Sequence, residues 1–134
     1  MKKKICLVVA NYYPQITNNL ISGASKILRL HGIKNYKTFK VPGVFDLPFV
    51  IAKKINSYDG FIALGCVIKG ETPHFEFIST SSINAIMHLS ITYKKPIGNG
   101  IITCFNKKQA LNRSGIKNNK GHESAKAMFS LLEI

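Results

Sequence analysis

Residues 61–75 read Phe-Ile-Ala-Leu-Gly-Cys-Val-Ile-Lys-Gly-Glu-Thr-Pro-His-Phe. Phe61 to Ile68 is a continuous apolar run, the signature of a strand buried on both faces. Lys69 to His74 interrupts it with glycine and proline. A longer segment follows, Phe75 to Ile91, with Ile78, Ser82, Ile83, Ile86 and Leu89 on one helical face. A buried strand, a short turn and a helix make up one half of a parallel βαβ unit.

The same pattern repeats on both sides. Upstream, Lys4 to Ala10 is another short β-branched apolar run. Leu20, Ile21, Ala24, Ile27, Leu28 and His31 then recur at helical spacing, with Thr17 as the expected cap and Gly32 as the expected end. Tyr36 to Val41 reads as a second strand, closed by Pro42-Gly43. Leu47 to Ile55 reads as a short helix that tolerates Pro48 in its first turn. Asp59-Gly60 turns the chain into the central strand. Downstream, Pro96 opens a fourth strand, Ile97 to Thr103. Lys107 to Asn112 is a helical stub, and Ser124 to Leu132 a last helix carrying Ala125, Met128, Phe129 and Leu132. The order βαβαβαβα predicts a three-layer α/β/α sandwich around a four-stranded parallel sheet, flavodoxin-like, with residues 1–134 forming one domain.

Composition narrows the class. The chain has 134 residues, 46% hydrophobic and 19% charged, enough to bury a core and too apolar for intrinsic disorder. No apolar run is long enough for a membrane span. Met1-Lys2-Lys3-Lys4 is basic like the start of a signal peptide, but Ile5 to Ala10 is too short for its apolar region, so a cytoplasmic protein is expected. The net charge is +13, which raises the alternative of a basic α/β nucleic-acid-binding module. Against it, the lysines come as scattered pairs, and Arg29 and Arg113 are the only arginines. Cys6, Cys66 and Cys104 are far apart and lie in apolar segments, which fits buried thiols and neither a metal site nor a disulfide framework. No metal or organic cofactor is expected.

Ligands of open α/β sheets bind beyond the carboxyl ends of the strands. That places the search at Asn11–Ile16, Pro42–Asp46, Lys69–His74 and Cys104–Arg113. Gly70, Glu71 and Thr72 precede a helix start, whose free N–H groups suit an oxyanion or a phosphate. The competing reading is a plain capping turn, with Thr72 as cap, Pro73 first and His74 second in the helix. A histidine there can accept a proton or simply sit on the surface. Arg113 can close bidentately on a phosphate or meet the end of its own helix. Tyr12 and Tyr13 offer faces for stacking on a planar ring or for rim packing. Val44, Phe45 and Asp46 sit in a rigid turn between two prolines. A non-catalytic binder of flavin-like ligands is a further alternative. A signalling domain of the same fold would need an aspartate after the first strand, where this chain has Asn11.

Taken in order, four blocks resemble the lumazine synthase (6,7-dimethyl-8-ribityllumazine synthase) family over nearly the whole chain. They are Val41-Pro42-Gly43-Val44-Phe45-Asp46-Leu47-Pro48, Gly65 through Glu76, Gln109-Ala110-Leu111-Asn112-Arg113, and Asn119-Lys120-Gly121-His122-Glu123. The resemblance implies a transferase of riboflavin biosynthesis. It would condense 5-amino-6-(ribitylamino)uracil with 3,4-dihydroxy-2-butanone 4-phosphate by imine formation, phosphate elimination and cyclisation. It implies His74 as the proton-transfer residue and Gly70, Glu71, Thr72 and Arg113 around the phosphate, with Arg113 donated across a subunit boundary. Tyr12 would stack on the pyrimidine. Val44, Phe45 and Asp46 would meet the ribityl chain and ring, and Val67, Ile68 and Asn99 would line the pocket. Lys117 and Lys120 would lie beside the site, and Glu123 would orient His74.

The resemblance also implies a homo-oligomer with sites between subunits: a pentamer, in some members an icosahedral 60-mer, which can associate with riboflavin synthase. No nucleic acid or membrane partner is implied. The first strand starts close to Met1, which leaves no length for the N-terminal arm of many relatives and weakens the case for a shell. The chain departs from the family pattern at Tyr12 (usually Phe or Trp), Tyr13 (Asn), Asp46 (Glu), Asn99 (Phe) and Phe105 (an acid). These changes imply weaker substrate binding.

Overall fold

The computed structural model describes residues 3–134. Met1 and Lys2, part of the basic start, lie outside the described residues. The strands are β1 (Ile5–Ala10), β2 (Lys37–Val41), β3 (Gly60–Ile68) and β4 (Ile97–Cys104). The helices are α1 (Pro14–Leu30), α2 (Leu47–Lys54), α3 (His74–Tyr93), α4 (Lys107–Arg113) and α5 (Lys120–Leu132). All strand pairs are parallel and the order is β2-β1-β3-β4. The three-layer α/β/α expectation therefore holds.

Side-chain alternation divides the core in two. Ile5, Leu7 and Val9 of β1, Ile62, Leu64 and Cys66 of β3, and Ile102 and Cys104 of β4 face α1 and α5. Cys6, Val8 and Ala10 of β1, Phe61 and Ala63 of β3, and Ile101 of β4 face α2 and α3. All six residues of β1 are buried, as a strand covered on both faces requires. Helix α5 lies close on the sheet because β4 carries Gly98, where a Cβ would overlap the Ser124 carbonyl.

Several boundaries differ from the sequence expectations. Thr17 is not a cap; it lies inside α1, where its hydroxyl donates to the Tyr13 carbonyl and to Asn11 Oδ1, both at 3.1 Å. Pro14, already set for helical φ, starts that helix three residues earlier. At its other end the Gly32 N–H donates to the Arg29 carbonyl and the Ile33 N–H to the Leu28 carbonyl, with Gly32 at φ +73°. This is the Schellman closure that a glycine favours. A 3-10 turn, Val44–Asp46, precedes α2. Helix α5 begins at Lys120 rather than Ser124, capped by the Asn119 side chain.

Helix α3 is apolar on more than one side. Ser79, Ser82 and Ile86 face inward and are buried. Phe77, Met87 and Ile91 stand 67%, 59% and 70% exposed on its outer surface. A helix with one buried stripe would put polar residues there.

Candidate active site

The carboxyl ends of β1, β2 and β3 open into a cavity of about 590 Å³. Its place is the switch point between β1 and β3, where ligands of this fold class bind. The segment after β1 contributes Tyr12 and Tyr13, whose rings meet edge to face at 4.9 Å between centroids. Tyr12 is 70% exposed, which leaves one ring face open to stack on a planar group.

The turn after β2 contributes Val44, Phe45 and Asp46. It holds its own shape, because Asp46 Oδ2 accepts the Gly43 N–H at 3.0 Å. The end of β3 supplies Cys66, Val67 and Ile68 from both sheet faces, and the following turn supplies Gly70 and Thr72. Helix α3 adds His74, Phe75 and Ile78. His74 is its first residue, one place earlier than expected, and its N–H donates to Thr72 Oγ1 at 3.4 Å.

Cys66 is no nucleophile. Burial, reinforced by the neighbouring Cys104 thiol, pushes its pKa up to about 12. A thiol reacts as its thiolate, so Cys66 is inert near neutral pH. Burial also raises Tyr13, with smaller contributions from Tyr12 and Cys66, so this hydroxyl keeps its proton. Of the residues lining the cavity, His74 is the one of a type that both takes and gives a proton near neutrality.

The remaining expected residues are elsewhere. Arg113, Asn99, Lys120 and Glu123 line a second cavity of about 360 Å³ on the β4 side. There Arg113 Nη1 donates to the Thr103 carbonyl at 3.0 Å and reaches Cys104 Sγ at 3.9 Å. Asn99 Oδ1 is turned back onto the Ile101 N–H at 3.1 Å. Lys117 lies in a third groove, between α1 and the 114–119 loop, which Glu123 also borders. Glu71 is exposed and lines none of these three cavities. Within one chain the structure thus unites Tyr12, Val44, Phe45, Asp46, Val67, Ile68, Gly70, Thr72 and His74. It does not bring Asn99, Arg113, Lys117, Lys120 or Glu123 to them.

Tyr13, offered as a stacking face by the sequence, is in the lining, and Gly43, Cys66, Phe75 and Ile78 complete it without having been given a site role. Ile78 was legible in principle, since it stands four residues after His74 on the same helical face. Lys69 opens the searched Lys69–His74 segment but was given no role of its own. Its backbone N–H donates to the Cys104 carbonyl at 2.8 Å, and its ammonium rests 5.4 Å above the Phe105 ring centroid. No group of three or more potential metal ligands occurs among the described residues. No helix among them is long and apolar enough to cross a membrane.

A model of the 6,7-dimethyl-8-ribityllumazine synthase family matches residues 2–134. A 6,7-dimethyl-8-ribityllumazine synthase of Bartonella bacilliformis is 40% identical, covering 97% of this chain and 88% of the relative. The enzyme of that name from Ruthia magnifica is 38% identical over 99% of this chain and 86% of its own length. That from Anaeromyxobacter dehalogenans is 39% identical over 92% and 80%. With a match of this extent, the chain belongs to the 6,7-dimethyl-8-ribityllumazine synthase family.

Proposed function

We propose that this chain is the transferase that makes 6,7-dimethyl-8-ribityllumazine in riboflavin biosynthesis. It would condense 5-amino-6-(ribitylamino)uracil with 3,4-dihydroxy-2-butanone 4-phosphate. The observation that carries this reading is the composition of the cavity beyond β1–β3. It sets an open aromatic face, a carboxylate, an imidazole and a helix-start turn around one space. Tyr12 stacks on the pyrimidine, and Val67 and Ile68 line its edge. Val44, Phe45 and Asp46 meet the ribityl chain, Asp46 with the oxygen its own turn leaves free.

The amine of the pyrimidine adds to the ketone carbonyl and water leaves to form the imine. The carbon beside the imine then gives up its proton as phosphate leaves. The resulting enol takes a proton on its terminal carbon to become a second carbonyl. Attack of the ribitylamino nitrogen on that carbonyl closes the ring with loss of water. Each step moves a proton on or off nitrogen, oxygen or carbon, which a single imidazole at His74 can relay. Holding two reactants side by side supplies much of the remaining acceleration.

The phosphate needs charge that this cavity lacks, since no lysine or arginine lines it. Gly70, Glu71 and Thr72 supply backbone and hydroxyl donors. Arg113, with Lys117, Lys120 and Glu123 nearby, is read as coming from the next subunit, where Asn99 also borders the joint and Glu123 orients His74. The exposed Phe77, Met87 and Ile91 on α3 support a contact between copies. A pentamer is the assembly proposed, with a 60-mer shell and association with riboflavin synthase as its extensions, in the cytoplasm.

The test is to mix purified protein with both substrates and follow lumazine fluorescence, with His74→Ala and Arg113→Ala in parallel. Slower turnover in the first and poorer use of the phosphorylated substrate in the second are expected. Equal activity in all three would refute both role assignments.

A further inference from the structure

We propose that Asn119 is a positioning residue for the phosphate end of the reaction, acting as a staple on the loop that carries Arg113 and Lys120. The inference rests on the reading of Arg113 given above. Arg113 closes α4 and Lys120 opens α5, so residues 114–119 alone separate them. The loop is pinched at its neck by a bridge between Ser114 and Asn119. Both cations, with Asn118 and Glu123, line the same cavity. Their spacing is set by whatever holds that neck.

One carboxamide does most of the holding. Asn119 Nδ2 donates to the Ser114 carbonyl at 3.2 Å and to the Asn19 carbonyl of α1 at 3.0 Å. Its Oδ1 accepts the His122 N–H at 3.0 Å and so caps α5. Two carbonyls and one N–H around the amide admit only this orientation. The side chain therefore joins the end of α4, the start of α5 and the flank of α1 at a single point. Ser114, itself buried, extends the tie by donating to the Ala110 carbonyl at 2.9 Å.

Helix α1 is shaped to receive it. Gly23 stands in mid-helix, where glycine is less favourable than alanine. A Cβ there would overlap the Asn119 carboxamide. The atom nearest that space is Oδ1, the oxygen that caps α5, so the gap seats the whole carboxamide, the cap and the donated bonds together. The bond to Asn19 and the gap at Gly23 fix the loop relative to the sheet, and with it Arg113, which is anchored on the Thr103 carbonyl.

The test separates this role from simple stability. Asn119→Asp keeps the acceptor that caps α5 and loses both donated bonds. Asn119→Ala loses all three. Gly23→Ala leaves the residue intact but pushes it away. In all three variants the KM for 3,4-dihydroxy-2-butanone 4-phosphate is expected to rise by roughly fivefold, the scale of one or two lost hydrogen bonds. The inhibition constant of inorganic phosphate should rise in step, while the KM of the pyrimidine stays within about twofold. Adding Gly23→Ala to Asn119→Ala should change these constants no further, because the space has been vacated.

Lower melting temperatures with unchanged KM and phosphate inhibition in the surviving enzyme would overturn the proposal. So would independent, additive effects of Gly23→Ala and Asn119→Ala. Arg113→Ala runs alongside. If it too leaves both constants unchanged, the reading of Arg113 fails and takes this inference with it. If it raises them and the Asn119 variants do not, the staple alone is wrong.

Discussion

The cavity beyond β1–β3 and the cavity beside β4 are built from opposite materials. The first has aromatic faces, an imidazole, a carboxylate and no lysine or arginine. The second has Arg113, Lys120 and Glu123 but no aromatic side chain. Neither suits a phosphorylated sugar fragment together with a pyrimidine. Set against each other, they have complementary deficits. The difference supports the proposal made above that the chemistry lies between two copies of the chain.

The comparison is sharpened most by removing the centre of each half. His74→Ala should cut kcat by roughly a hundredfold, the lower range for a lost proton-transfer group, with the KM values little changed. Arg113→Ala should instead raise the KM for the phosphorylated substrate by roughly tenfold or more, the scale of a charge-assisted hydrogen bond. Steady-state kinetics with each substrate varied in turn would show the split. Matching profiles for the two variants would break the division of labour.

A smaller effect distinguishes the thiols beneath the two halves. Burial drives Cys66 up to about 12 from the ordinary 9.0. Cys104 is also raised by burial, but the Arg113 guanidinium opposes that rise. A thiol raised in the fold stabilises it fully below the unfolded pKa, and that contribution is lost as pH climbs toward the folded value. Thermal melts should therefore fall between about pH 9 and pH 12, less steeply in Cys66→Ala than in wild type. Parallel curves would show that the Cys66 thiol is not the titrating group.

The smallest effect lies between the regions, on α3. Ser79 and Ser82 bury hydroxyls that have no hydrogen-bond partner among the described residues. Ser82→Ala removes a desolvated polar group at little cost in volume, so it should be neutral or raise the melting temperature by a few degrees. A clear drop would mean that the hydroxyl finds a partner in solution.

The sheet was legible because strand burial and helix periodicity are local properties, and each central apolar run became a strand. The errors fell where tertiary contact outvotes local preference. Gly121 makes the start of α5 look like a loop, yet it is glycine because a side chain there would strike the Leu20 carbonyl of α1. Pro14 gave a stronger helix start than Thr17, whose hydroxyl turned back onto the preceding turn. The residues after β1, β2 and β3 could be placed together from topology alone, since the carboxyl ends of adjacent parallel strands meet. The separation of Arg113 from His74 could not. It depends on β4 being an edge strand and on which side of it α4 and α5 descend. Cys66 was read only as a buried thiol, because a residue at a strand end lines a cavity and packs at once.

The central claim is that each working site joins His74 of one subunit to Arg113 of another. The direct measurement is complementation: assemble His74→Ala and Arg113→Ala chains together at equal ratio and assay lumazine formation. Random mixing in a ring leaves about one quarter of the sites with both side chains intact, so with the phosphorylated substrate held well below its wild-type KM, where each variant alone is slow, about a quarter of wild-type activity should return. Activity no higher than the mean of the two separate variants would place both residues in sites that never cross a subunit boundary, and would contradict the account.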